Sequence, residues 1–231
     1  MALANPKFMS LPQILPPLLL SIKVASLATL SSLFFALLAA FFLKRKKGFF
    51  PSVLDSLCTL PLVLPPTVLG YYLILLVGRR GCLGDLLNSL GVEIIFSWQG
   101  AVVAATVVVF PLIYKSARAA LEQVDIRLEN AARTRQAKEL RIFLTISIPL
   151  AFKGITAGII LAFTRGMGEF GATLMVAGNI PGKTQTLSLA IYDAFQAGDD
   201  TTATILVLIT SLLCMLLLIS AECIIRLTKK R

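Results

Sequence analysis

Residues 14–47 read ILPPLLLSIKVASLATLSSLFFALLAAFFLKRKK, thirty residues of apolar block closed by four consecutive bases. A helix needs about 20 residues to cross the ~30 Å hydrocarbon core of a bilayer. The block is longer than that, and Lys23 interrupts it, so part of it is expected to tilt or to lie along the outer interface. A cleaved signal peptide carries its bases before the apolar stretch. Here Lys7 alone precedes the block and Lys44 to Lys47 follow it, which predicts an uncleaved anchor.

The rest of the chain repeats the pattern. Of 231 residues, 57% are hydrophobic and 15% charged, against roughly 25% charged in soluble domains, and the apolar residues come in long blocks. Five spans are predicted, at about 14–43, 53–77, 94–117, 150–171 and 202–225, within one all-α membrane domain covering 11–226. A short basic tail, 227–231, follows. Placing the N-terminus outside puts sixteen bases on the inner segments 44–47, 115–153 and 226–231, and leaves Lys7, Arg79, Arg80 and Lys183 outside. Positive charge is retained on the cytoplasmic side, so the expected orientation is N-out and C-in.

The net charge of +10 is thus explained by topology, and nucleic-acid binding is not implied. With no histidine and four cysteines in no CxxC spacing, neither a metal site nor a catalytic triad is expected, and the cysteines read as packing residues. Gly182-Lys183-Thr184 imitates the end of a P-loop, but its first glycine position is Ala177 and a span precedes it where a strand is required. No nucleotide is therefore expected on this chain.

Two features bear on function. Pro61, Pro65 and Pro66 fall inside the second block and must kink or break it. Irregular backbone at membrane depth needs a protein cover or a watery cavity, so Pro65, Pro66 and Thr67 are candidates for the lining of a pathway, the alternative being a kink used for packing. Arg165, inside the fourth block, either faces the path or pairs with Glu169 four residues on, with Phe170 beside it. Glu222 and Arg226 repeat that spacing and read as an interfacial pair. The outer segments show no excess of positive charge to draw in an anion. The apolar-periodic run Leu187 to Phe195, within 182–200, is a candidate docking or gate-shaping element.

Between the third and fourth spans, 118–149 is charged and helical in pattern, with Ser116 to Asn130 and Ala131 to Thr145 both reading as amphipathic helix. The run from Leu128 through Glu129, Asn130, Ala131, Ala132, Arg133, Thr134 and Gln136, and then Ile146 and Pro149, resembles the EAA loop of type I ABC importer permeases. Ala131, Ala132, Ile146 and Pro149 stand at matching positions. Asn130 replaces the family's Glu, and Gln136 replaces a Gly that would allow a turn between two short helices, leaving a cap or a less strained bend. GEFGAT at 168–173, AGNIPGKTQT at 177–186, LVLPPTVLG at 62–70 and GRRG at 78–81 resemble the molybdate branch of that family. The sulfate branch is similar.

The resemblance implies a permease of the cell membrane that works as a pair with a second copy of itself. It implies a cytoplasmic ATP-binding subunit docked on 118–149, holding ATP and Mg, and an external oxyanion-binding protein. Molybdate is the implied cargo, with sulfate or tungstate as relatives. A channel that needs no ATPase is the reading from a different class.

Overall fold

The computed structural model describes residues 11–79, 81–84, 89, 91 and 93–229. Arg80, the tail residues 230–231 and the side chains of Glu222 and Arg226 lie outside it. The described residues form helices α1 (Leu11–Leu43), α2 (Phe49–Thr59), α3 (Pro66–Val77), α4 (Trp98–Glu122), α5 (Ile126–Thr134), α6 (Glu139–Ile142), α7 (Ile148–Met167), α8 (Gly171–Ala177), α9 (Leu187–Gln196) and α10 (Asp200–Lys229). Four helical stretches are long and apolar enough to cross a membrane, and a fifth arises if α2 and α3 are halves of one span.

The first block is one helix of 33 residues, about 50 Å long at the helical rise, so it must tilt or project. Lys23 is accommodated at its surface, with Nζ 3.5 Å from the centroid of the Trp98 ring. The second block breaks outright. α2 runs into a 3₁₀ turn at Leu60–Leu62, and α3 departs at 112° after Val63–Pro65. Pro65 and Pro66 have no backbone N–H, so the break exposes two fewer donors than it otherwise would.

α4 is the centre of the packing. Ala101, Ala104, Ala105, Val109, Ile113, Ala117 and Leu121 are buried along it, and Ala25, Ala28, Ala36 and Ala40 are buried on α1, which packs against it. On the other side Gly154 and Gly158 of α7 meet α4. A Cβ at Gly154 would lie 2.4 Å from Ala120 Cβ, and one at Gly158 2.7 Å from Ser116 Cβ. In lipid, apolar surface gives little drive for helix association, so small residues that let backbones approach are what hold such a bundle together.

The structure divides two of the expected helices and sets the bounds of two others. The helix of the third predicted span runs from Trp98 to Glu122, capped by the Ser97 hydroxyl, which accepts from Gly100 N at 3.2 Å. Ser116 to Asn130 is not one helix, because Asp125 caps a new one and accepts from Arg127 N at 2.9 Å. Ala131 to Thr145 is likewise divided, by the turn at 135–138. The helix of the fourth predicted span ends at Met167, and a separate short helix begins at Gly171, where Glu169 Oε1 accepts from Ala172 N at 3.0 Å.

Gly158→Val is expected to push α4 and α7 apart and cost about 1–3 kcal/mol as an overpacked contact. The measurement is thermal unfolding of the purified chain in detergent. A midpoint equal to that of the unsubstituted protein would contradict the close approach.

Candidate functional site

Two regions hold the predicted residues. The first is the segment 118–149. α5 is short because Asp125 opens it and Gln136 closes it, with Gln136 in the left-handed conformation at φ 58°. The position where the resembling loop has Gly therefore takes a glycine-like conformation, and of the two alternatives left open for Gln136, a cap or a less strained bend, it takes the cap. The Gln136 N–H donates to Arg133 O at 2.9 Å and the Ala137 N–H to Ala132 O at 3.2 Å, which closes the helix end.

Asn130, Ala131, Arg133, Thr134, Arg135 and Gln136 are exposed, as are Ile126 and Leu128, while Ala132 and Ile146 are half-buried and Pro149 is exposed at the start of α7. Arg133 ties this face to α6. Its Nε donates to Glu139 Oε1 at 2.6 Å, Nη2 to Oε2 at 3.0 Å and Nη1 to Asn130 Oδ1 at 2.7 Å. Asn130 thus serves within the loop as an acceptor.

Glu129 is turned inward and is 1% exposed, with Arg133 Nη2 3.8 Å from its Oε2. It accepts from Lys44 Nζ, from Arg45 Nη1 at 2.7 Å and from Ser147 Oγ at 2.7 Å. Lys44 also donates to Ser147 Oγ at 2.9 Å, and Arg45 donates to Val124 O. Ser147 ends a single turn of π-helix, Phe143–Ser147, that opens the fourth span. A cleft of about 410 Å³ lies over this cluster, lined by Lys44, Arg45, Lys46, Arg133 and Glu139 among others. Burial raises the Glu129 pKa. Hydrogen bonds from Lys44 and Ser147, with the charges of Lys44 and Arg45, outweigh it and hold the carboxyl below its usual range. Lys44, Arg45 and Ser147 were not anticipated as partners, because the run 44–47 is already accounted for by topology.

The second region is the junction of two broken helices. Pro65, Pro66 and Thr67 are exposed at the start of α3, which packs against α8. A Cβ on Gly171 would lie 2.9 Å from Pro66 Cβ, and one on Gly70 would lie 2.5 Å from Met175 Cβ. Glu169 Oε2 is 2.8 Å from Arg165 Nη1, while Oε1 accepts from Ala172 N at 3.0 Å. Glu169 is buried and the Arg165 side chain is 41% exposed, so the pair forms and Arg165 still reaches the surface. The Phe170 ring lies 5.1 Å from that of Tyr192 on α9. α9, the predicted docking element, is tied to α1 by Leu187 N donating to Ser21 Oγ at 2.8 Å.

Sequence reasoning missed a third cluster. Asp55 of α2 accepts from Arg118 Nη1 and from Tyr114 Oη at 2.8 Å, fastening the first half of the broken second block to α4. A single acid within an apolar block was the available signal. Thr184 of the false P-loop is buried in a turn, its hydroxyl accepting from Ile180 N at 3.0 Å, and it follows helix α8. Among the described residues no three metal-ligating side chains converge.

Two outcomes follow from these charges. Arg165→Met should strand the buried Glu169 carboxylate and lower the unfolding midpoint, whereas Arg165→Met with Glu169→Gln should recover it, because Gln keeps the acceptor for Ala172. Thermal melts of both variants in detergent check this. Glu129, depressed in the folded chain, contributes stability that is complete above the unfolded carboxyl value of about 4.3 and is lost as pH falls through its lower folded value. Glu129→Gln should flatten the pH dependence of unfolding in that acidic window.

The geometry meets known proteins at this point. A family model described as "Binding-protein-dependent transport system inner membrane component" matches residues 32–231. The molybdenum transport system permease protein ModB of Escherichia coli is 46% identical over 215 residues, covering 92% of this chain and 94% of that protein. The ModB protein of Haemophilus influenzae is 45% identical over 178 residues, covering 77% and 78%. Among solved structures, the MetNI methionine ABC transporter in inward-facing conformations superposes with a TM-score of 0.71 at 17% identity, covering 94% of this chain and 98% of its own. A bacterial ABC transporter that imports alginate gives 0.75 at 13%, covering 95% and 80%. At those identities the structures speak for the fold alone, which is that of type I ABC importer permeases. With 200 of its residues inside the family match and close to half its positions shared with a full-length relative, the chain belongs to the binding-protein-dependent transport system inner membrane components, as a transport subunit and not an enzyme.

Proposed function

We propose that this chain is the membrane permease of an ATP-driven molybdate importer. Two copies line one central path in the cytoplasmic membrane, with the N-terminus outside and the C-terminus inside. A cytoplasmic ATPase, which holds ATP and Mg, docks on the face formed by Asn130, Ala131, Arg133, Thr134 and Gln136. An external binding protein selects the oxyanion and delivers it to the outer side.

The observation that carries this reading is the outward face of α5. A helix of nine residues presents Ile126, Leu128 and a row of polar side chains to solvent. Its one buried residue is an anchor to the membrane body. That is the geometry of a helix held out for a groove on a partner. The cargo follows from relatives whose names specify molybdenum transport and which align along nearly the whole chain. The resemblance of Gly168 to Thr173 and Ala177 to Thr186 to the molybdate branch agrees with it. The Arg165–Glu169 pair stands beside the Pro66–Gly171 contact, where irregular backbone needs either a protein cover or water.

Transport decides the matter. Liposomes containing this chain, its ATPase and its binding protein are expected to take up labelled molybdate only when ATP is supplied, and excess sulfate should not compete. Competition by sulfate would keep the importer and reassign the cargo. Flux through the chain alone, without ATP, would replace the importer with a channel.

A further inference from the structure

The four consecutive bases at the end of α1 divide into two pairs. Lys44 and Arg45 turn inward onto Glu129. Lys46 and Lys47 are exposed, and among the described residues neither side chain makes an ion pair. The acids around them are already taken. Glu139, which shares a cleft with Lys46, is held by Arg133, and Asp55 on α2 is held by Arg118. Two uncompensated cations thus stand just past Ile14–Leu43, a stretch apolar enough to cross a membrane. Bases at the end of such a stretch lie at the level of the lipid headgroups.

An apolar slot adjoins them. Gly48, at φ 126°, turns the chain so that the start of α2 returns beside the last turns of α1. Between the two helices lies a cleft of about 290 Å³, walled by Ala39, Phe42 and Leu43 of α1 and by Phe50, Leu54 and Cys58 of α2. Lys46 also lines it. No residue of α2 is fully buried, and Phe49 and Phe50 are 87% and 70% exposed. Both helices belong to stretches apolar enough to span a bilayer, α2 together with α3. The length of the slot therefore faces hydrocarbon, and its basic end faces the interface. A soluble partner matches only that end. A phospholipid matches both, with an apolar chain for the slot and a charge of opposite sign for the lysines.

We propose that this slot and the two lysines at its end bind one phospholipid with an anionic headgroup. One acyl chain lies between α1 and α2, and the headgroup phosphate accepts from Lys46 and Lys47. The site is separate from the transport reading and needs only that α1 crosses a bilayer.

The test places the full chain in phosphatidylcholine vesicles with a minor fraction of lipid brominated on its acyl chains, which quenches a tryptophan that it touches. Trp98 is the chain's one tryptophan and stands by Lys23, so the reporter is Phe49→Trp in a Trp98→Phe background. Phe49 is exposed and does not line the slot, so the reporter leaves the site intact. Brominated phosphatidylglycerol is expected to quench with a preference of about 25-fold over brominated phosphatidylcholine, because each base beside an anionic headgroup contributes a factor of about five. Lys46→Gln with Lys47→Gln should abolish the preference, while Lys46→Arg with Lys47→Arg should keep it. Cys58→Leu fills the slot and retains both lysines, and there the preference should fall about fivefold or more. Equal quenching by the two lipids, or a preference that survives the loss of both lysines, overturns the proposal. So does a preference unchanged by Cys58→Leu, which would mean that the lysines attract anionic lipid without the slot. Competition by soluble glycerol phosphate would mean a site for a free anion, and quenching by neither lipid would mean a slot covered by a second copy. Either result also overturns it. Should the double Gln variant fail to insert, Lys46→Gln alone decides, with a fall of about fivefold expected and an unchanged preference fatal.

Discussion

A helix in hydrocarbon satisfies its own backbone and gains little by pressing its apolar side chains against others, because lipid is just as apolar. Close approach is the remaining source of cohesion. The centre of this protein is built on it. Ala101, Ala104, Ala105 and Ala117 of α4 face the alanines of α1, while Gly154 and Gly158 of α7 take Ala120 and Ser116 of α4 against their bare backbone. Every other element is placed relative to that three-helix centre. α10, by contrast, shows large apolar residues such as Leu208, Leu212 and Leu216 on its surface, which suits contact with lipid.

Against this rigid centre stand two interruptions, at Val63–Pro65 and at Gly168–Phe170. They do not occur independently. The short helices that follow them, α3 and α8, pack on each other through Gly70 and Gly171, where no side chain would fit. Glu169 turns its carboxylate onto Ala172 N and is itself balanced by Arg165. Polar groups freed by the interruptions are thus met locally, which is the condition for irregular backbone at membrane depth.

Charge organises the opposite end. Lys44 and Arg45 neutralise the buried Glu129. Arg118 does the same for Asp55, with the Tyr114 hydroxyl. Buried ion pairs add little net stability over apolar contacts, yet breaking one is costly, and their geometry is specific. They suit a segment that must keep one orientation.

The sequence by itself determined the all-helical membrane class, the approximate spans, the interrupted second block and the loop at 118–149. All of these follow from block length, the position of prolines and local spacing, which are properties of consecutive residues. The pairing of Arg165 with Glu169 was also within reach, since four residues is one helical turn. Only the tertiary structure decided that Glu129 turns inward, that Gln136 adopts a left-handed turn, and that Asp55 meets Arg118. Glu129 and Lys44 are 85 residues apart, and Asp55 and Arg118 are 63 apart. Contacts over such separations arise when whole helices pack side by side, and no local periodicity records which faces will meet.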